Sequence, residues 1–312
     1  SLSAASMAVR VCVLVESELW PILLDRCAQR DIPVALLNAR LSDKSAQGWK
    51  RFPETAAYVL RGIVMAHCQD ARSRNHLRDM GLGMAQQGGN LKAMLGQPTV
   101  ARDAVDAAHT ELAGRPVWVA ASTHPGEEEQ VLAAHATLLG DHPALCLILV
   151  PRHPDRADEV LALIRAQGLS VTQRSRGATL GSGAQVYLAD TMGETDLWYA
   201  LSPIVFLGGA FTDVGGHTPF EPAAAHTAII HGPLYANFSE VYAAFQMKDA
   251  SVQVADGTAL ADEVATLLTH PSRAAQLAAN AKPLAQSNDA ALEELATRLF
   301  SMAQTHAMGP HD

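Results

Sequence analysis

The chain has 312 residues, 48% of them hydrophobic and only 5% aromatic, and a formal net charge of -9. That length allows one large or two medium domains, and the sparse aromatics favour aliphatic helix-on-sheet packing over an all-β sandwich. The acidic balance excludes general nucleic-acid binding, which needs a basic footprint, but leaves room for a local basic pocket that holds one phosphate.

Taken in chain order, short apolar runs alternate with amphipathic stretches. The runs that predict strands are Val9–Val15, Val34–Leu37, Ile63–Ala66, Val117–Ala121, Leu145–Val150, Val186–Ala189, Ile204–Leu207, Ala228–Ile230 and Val252–Val254. Predicted helices fill Asp70–Met80, Thr99–Leu112, Glu127–Leu139, Arg156–Gln167, Phe238–Phe245, Leu260–Leu268 and Ser272–Ala285. Continuously apolar strands separated by helices predict α/β architecture with parallel sheets covered on both faces. A last helix is predicted over Asp289–His306, where Leu292, Leu295, Leu299 and Met302 recur at helical spacing.

The weakest join lies at Gly88–Pro98. Gly88-Gly89-Asn90 is turn chemistry, and Gly96-Gln97-Pro98 opens a new helix. The predicted domains are therefore 1–95 and 96–312. The second holds six strand runs and the first only three, whereas open α/β domains usually carry five or six. The first domain is thus expected to be shortened at its front, leaving an exposed sheet edge, with dimerisation or poor solubility as the consequence.

The cysteines are Cys12, Cys27, Cys68 and Cys146, with no CxxC pair. Three lie in or beside apolar runs and read as core thiols of a reducing compartment. The histidines lack metal-ligand spacing, so no metal is expected, and no Walker, GxSxG or HExxH motif occurs. No run is apolar for long enough to cross a bilayer. Ser1–Met7 lacks the layout of a signal peptide and reads as an appended remnant or a frayed end. A cytoplasmic protein is the default expectation.

Polar residues cluster where the predicted strands end. The most informative stretch runs from Phe206-Leu207-Gly208-Gly209-Ala210 to Gly215-Gly216-His217-Thr218-Pro219-Phe220-Glu221-Pro222. Glycines admit a ligand close to the backbone, a helix start offers N–H groups to an anion, and Glu221 is placed to accept ribose hydroxyls. Arg152 and His153 follow the strand Leu145–Val150, as a grip for a phosphate or a sugar carboxylate. Ser122, Thr123 and His124 follow Val117–Ala121, and Glu127-Glu128-Glu129 reads there as helix capping. Asp190-Thr191-Met192-Gly193-Glu194 forms a turn whose backbone can read a base edge while Met192 stacks on it. His231-Gly232-Pro233 with Asn237 is a fifth turn of this kind. Each alone is as well explained by ordinary turn geometry. All five fall at strand carboxyl ends of one domain, where open α/β sheets bind ligands, and that convergence favours a nucleotide cleft. In the first domain, Glu16 and Glu18 follow one strand and Asn38 and Arg40 another, facing an interdomain cleft where Glu16 or Glu18 is a candidate general base.

These blocks, in this order, resemble the 3-deoxy-D-manno-octulosonic acid (Kdo) transferases of lipopolysaccharide synthesis. The matching stretches are Glu16–Pro21, Asn38–Ser42, Gly89–Lys92, Ala120–His124, Pro151–Pro154, Asp190–Glu194 and Gly215–Pro222. The resemblance implies a GT-B-type glycosyltransferase of two Rossmann-like domains, the first truncated. It implies transfer of Kdo from CMP-Kdo to a lipid A precursor, by inversion and without a metal or other cofactor. Met192, Gly193 and Glu194 are then expected by the cytosine and Glu221 at the ribose. Arg152 and His153, with the turn Gly215–His217, are expected on the phosphate and sugar carboxylate, and Arg152 also stabilises the leaving group. Ser122, Thr123, His124 and Asn237 complete the donor side, with Glu16, Glu18, Asn38 and Arg40 on the acceptor side.

Two departures matter. Thr218 stands where the family usually has Asn. The family also begins with further βα units that carry a membrane anchor and a glutamate thought to be the base, so the base is expected outside these residues. Peripheral association with the cytoplasmic face of the inner membrane is expected by the same resemblance, and a homodimer from the exposed sheet edge of the first domain. A CMP-binding remnant without turnover, acting in regulation or partner binding, and another GT-B-type sugar-nucleotide enzyme such as an epimerase stay open as alternatives.

Overall fold

A computed structural model of the chain describes residues 11–16, 19–89, 91 and 100–305. The chain divides into two units, Ser1–Leu95 with Asn288–Asp312, and Gly96–Ser287.

In the first unit, β1 (Cys12–Val15), β2 (Val34–Ala39), β3 (Ile63–Cys68) and β4 (Gln86–Gln87) form a parallel sheet in that order. The helices are α1 (Pro21–Ala28), α2 (Asp43–Lys50), α3 (Pro53–Leu60) and α4 (Ala71–Asp79). Local chemistry fixes their starts. Proline sits in the first turn of α1 and α3, where a missing N–H costs nothing. The side chains of Ser42 and Asp70 cap α2 and α4 by accepting from the Ser45 and Ser73 N–H groups. One sheet face buries Leu14, Val34, Leu36 and Ile63 against Leu24, Leu60 and Leu77. The other buries Ala35, Leu37 and Met65 under Leu295, with Leu299 and Met302 packed alongside. β1 is the rim of the sheet, and its Val13 and Val15 are 43% and 47% exposed.

In the second unit, α5 (Arg102–Leu112) precedes β5 (Val117–Thr123), α6 (Glu128–Leu138), β6 (Cys146–Pro151), α7 (Ala157–Ala166), β7 (Val171–Gln173) and β8 (Val186–Leu188). Then come α8 (Thr195–Leu201), β9 (Ile204–Leu207), α9 (Phe220–Ala224), β10 (Ala228–His231), α10 (Ser239–Met247), β11 (Val252–Gln253), α11 (Gly257–Thr269) and α12 (Pro271–Thr305). The seven strands are all parallel, in the order β11-β10-β9-β5-β6-β8-β7. Side chains alternate between two cores. Trp118, Ala120, Leu147, Leu149 and Phe206 face one, and Val117, Val119, Ala121, Ile148 and Val205 the other. Burial on both faces is why these strands read as unbroken apolar runs. Chain order reverses between β5 and β9, which creates a switch point at their carboxyl ends.

Three expectations change. Asn288–Asp312 groups with the first unit, not with 96–287, because Leu295, Leu299 and Met302 pack on Ala35, Leu37 and Met65. The two helices predicted after Ser272 are one, Pro271–Thr305, with Pro283 inside it. The alanines on both sides of Ser287-Asn288-Asp289 favour helix strongly enough to carry it through. β4 and β7 were not predicted: they are short, polar edge strands without an apolar run. All four cysteines are free thiols, and burial pushes those of Cys68 and Cys146 up to about 11.

Candidate functional site

Beyond the carboxyl ends of β5, β6, β8 and β9 lies a cavity of about 270 Å³. Ser122, Arg152, Met192, Gly193, His217 and Glu221 line it together with Thr191, Thr195, Tyr199 and Thr218. Six of the predicted donor residues thus share one surface. Ser122, the penultimate residue of β5, lies in the left-handed region with φ 57°, a conformation that costs energy for a non-glycine residue and is enriched at functional sites. Arg152 and Met192 are exposed, the latter at 72%. Among the described residues the Arg152 guanidinium makes no ion pair or side-chain hydrogen bond. Burial raises the Glu221 carboxyl, nearby Asp196 raises it further, and Arg152 opposes both.

The remaining predicted residues stand behind this lining. His124 bonds His217, Nε2 to Nε2, at 2.9 Å, and its ring meets that of His153 edge-on with centroids 5.7 Å apart. Thr123 is fully buried. Glu194 does not line the cavity. Arg174 holds its carboxylate through two bonds, Nε to Oε2 at 3.1 Å and Nη2 to Oε1 at 2.6 Å, and the Thr191 hydroxyl donates to it as well. These bonds, chiefly from Arg174, keep that carboxyl below its usual range, and they brace the turn that carries Met192 and Gly193. Gly215 and Gly216 have φ of 94° and 82° and lie against Asn237 and Tyr235. Asn237 secures this loop, its backbone N–H donating to Gly215 O and its Nδ2 to Val214 O, both at 3.0 Å. The Tyr242 hydroxyl donates to His217 O at 3.0 Å and fixes the backbone that aims His217.

The residue that organises the site is Glu127, which the sequence suggests only as a helix cap. Its side chain caps nothing on its own helix. Fully buried, it accepts from the N–H groups of Gly209 at 2.7 Å, Ala210 at 2.9 Å, Phe211 at 2.8 Å and His124 at 3.0 Å. One carboxylate so ties the end of β9 to the end of β5. The two strand ends approach so closely that a Cβ on Gly208 would lie 2.6 Å from Ser122 O. Beside it, buried Glu128 pairs with Arg156 at 2.8 Å, yet burial outweighs the pair and leaves its carboxyl raised. Asp190 accepts from the Ser175 N–H and hydroxyl and from Gln173. Burial alone would raise that carboxyl, but these bonds override it and hold it low. Thr195 and Tyr199 were also missed, because a threonine and a tyrosine in a short helix carry no motif.

In the first unit, Glu16 directly follows β1 and Asn38 is the penultimate residue of β2, with φ of 67° and 53°, and exposed Arg40 follows β2. Asn38 is fully buried, and its Oδ1 accepts from the Leu91 N–H at 2.8 Å. Glu18 lies outside the described residues. Among the described residues no group of three or more His, Cys, Asp or Glu side chains is set to hold a metal, and no helix is long and apolar enough to cross a membrane.

Residues 4–95 match the family model described as 3-deoxy-D-manno-octulosonic-acid transferase (kdotransferase). The chain is also similar to the crystal structure of the C-terminal CMP-Kdo binding domain of WaaA from Acinetobacter baumannii. The two share 34% identity with a TM-score of 0.57 over 63% of this chain and all of that one. This chain belongs to the Kdo transferase family. Among curated relatives, the 3-deoxy-D-manno-octulosonic acid transferase of Haemophilus influenzae is 35% identical over 75% of this chain and 55% of its own length. That of Bordetella pertussis is 32% identical over 86% of this chain and 64% of its own length. The chain therefore spans a little over half the length of these relatives. The fold is of GT-B type. The structure of Anabaena HepE with UDP, 14% identical with a TM-score of 0.53 over 93% of this chain and 79% of that one, agrees with that architecture.

Proposed function

We propose that the second unit is the donor site of a Kdo transferase, that its cavity holds the CMP part of CMP-Kdo, and that the protein passes Kdo to a lipid A precursor. The observation that carries this reading is the meeting of Arg152, His217, Glu221 and Met192 around one hollow at the switch point of a parallel sheet. Exposed Met192, on a turn braced by Glu194, offers an apolar surface to the cytosine, with Gly193 giving the base access to backbone. Glu221 is the ribose acceptor. Arg152, with His153 and the Gly215–His217 turn, takes the phosphate and the sugar carboxylate. The similarity to a domain named for CMP-Kdo binding supports the same assignment.

In the transfer step the acceptor hydroxyl loses its proton to a base and attacks the anomeric carbon. The bond from that carbon to the phosphate oxygen breaks, and CMP leaves with the electron pair. Arg152 stabilises the charge that develops on the phosphate. The base is not assigned to a described residue. Glu16, Asn38 and Arg40 are proposed for the acceptor side.

Calorimetric titration tests this reading. CMP is expected to bind more tightly than UDP or ADP. R152A is expected to weaken CMP roughly 10–100-fold, the range for losing hydrogen bonds from a charged group, and E221A to weaken it less. Equal affinity for the three nucleotides, or unchanged CMP affinity in both variants, rejects the assignment.

A further inference from the structure

We infer that His124 and His217 work as one proton carrier, and that the pair takes up a single proton when the phosphate of a nucleoside monophosphate binds beside Arg152. The inference deepens the reading of this cavity as a nucleotide site and rests on it.

The geometry defines the pair. The two Nε2 atoms are 2.9 Å apart, the ring centroids 5.1 Å apart, and the ring planes differ by 14°. The rings therefore meet tip to tip in nearly one plane, as an N–H···N hydrogen bond requires, and not face to face. One Nε2 must carry a hydrogen and the other a lone pair. The accepting ring is then neutral, with its hydrogen on Nδ1. The donating ring has its own Nδ1 open to a proton. Adding one proton there leaves the bridge intact and makes it charge-assisted. A second proton would place hydrogens on both facing nitrogens and break it. The capacity of the pair is one.

Charge decides when that proton arrives. The groups facing the pair are Arg152 and His153 at the end of β6, Arg156 before α7, and Glu127. Burial and these cations oppose a proton on the pair, while Glu127, although engaged by four N–H groups, favours one on His124 more than any single cation disfavours it. Burial first, and then its charged neighbours, hold His217 down to about 4, and burial lowers His124 as well. The free pair is neutral at pH 7. A phosphate monoester brings a charge of about -1.5 to -2 at that pH, more than the single charge of Arg152 cancels. Its arrival reverses the local potential and draws a proton onto the pair. As the bond to the anomeric carbon breaks, the donor's singly charged phosphodiester becomes this more highly charged monoester, and the proton drawn onto the pair opposes the added charge.

The test is calorimetry of CMP binding at pH 7 in buffers of differing ionisation enthalpy, which counts protons. Uptake approaching one proton per CMP is expected, with none for cytidine, which lacks the phosphate. H124Q and H217Q should each abolish the uptake, measured at CMP concentrations that saturate the weakened site. Ring-nitrogen NMR of the unaltered protein provides a readout that does not depend on the variants folding: one Nδ1 resonance should move to the protonated position on adding CMP. CMP binding without uptake, uptake of two protons, or uptake that persists in both variants overturns the inference and leaves the donor-site reading standing. Failure of CMP to bind at all overturns both.

Discussion

The two units handle their polar side chains differently. In the first, the charged side chains mostly pair at the surface, as in Asp25 with Arg61, Asp43 with Arg72 and Lys50 with Asp79. Its buried polar residues are Asn38 and Ser73, among those described. The second buries Glu127, Glu128, Asp190, His135 and His231, and each is hydrogen-bonded. There the interior polar groups hold loops in place, and among the described residues the Arg152 guanidinium at the cavity forms no salt bridge, acting on Glu221 only through space. A rigid surround with an unmatched charge is what a preorganised anion site requires.

That contrast breaks most visibly at Glu127. E127A would strand four backbone N–H groups in the interior and is expected to cost about 3–5 kcal/mol of stability, with CMP affinity falling along with it. Denaturant unfolding combined with CMP titration measures both. A loss below 1 kcal/mol would mean that the β5 and β9 ends hold together without this carboxylate.

Acid should separate the units next. His135, His217 and His231, all in the second unit, are each held down to about 4, chiefly by burial. The unfolded chain titrates them near 6.5, so between pH 6.5 and 4 it binds more protons than the folded one. Their contribution is complete above pH 6.5 and is lost as pH falls through that window, at up to ~1.4 kcal/mol per pH unit for each group. Trp118 donates to His135 Nδ1 at 3.1 Å, so its fluorescence reports the change directly. Urea midpoints should fall steadily from pH 7 to 5. A flat profile would show that these histidines are charged in the folded state.

Smaller effects belong to the first unit. Buried Ser73 accepts from the Leu41 N–H at 3.0 Å, and S73A is expected to cost about 1 kcal/mol without changing CMP affinity. K50A removes an exposed pair and should leave both the unfolding midpoint and CMP binding where they were. A marked loss of CMP binding in either variant would mean that the two units share the ligand more evenly than their polar groups suggest.

Much of the second unit was legible in the sequence, because strands buried on both faces must be apolar throughout and their ends then mark where ligands sit. That position set Arg152, Met192, Glu221 and His217 at one sheet edge, where all four line the cavity. The role of Glu127 was not legible, since three of its four partners lie 82 to 84 residues away and nothing near it announces them. Nor was the grip of Arg174 on Glu194, which makes that carboxylate a brace for the turn expected by the cytosine. In the first unit, α1, α2 and α3 have eight residues each, too few to display a helical period. The docking of Leu295 on Ala35 and Leu37 depends on the path of α12, which periodicity cannot reveal.

A crystal structure with CMP most directly tests whether the hollow at the β5–β9 switch point receives the donor. The expected result is phosphate within hydrogen-bond reach of Arg152, ribose at Glu221 and cytosine against Met192. Nucleotide bound elsewhere on the protein, with this hollow empty, would contradict it.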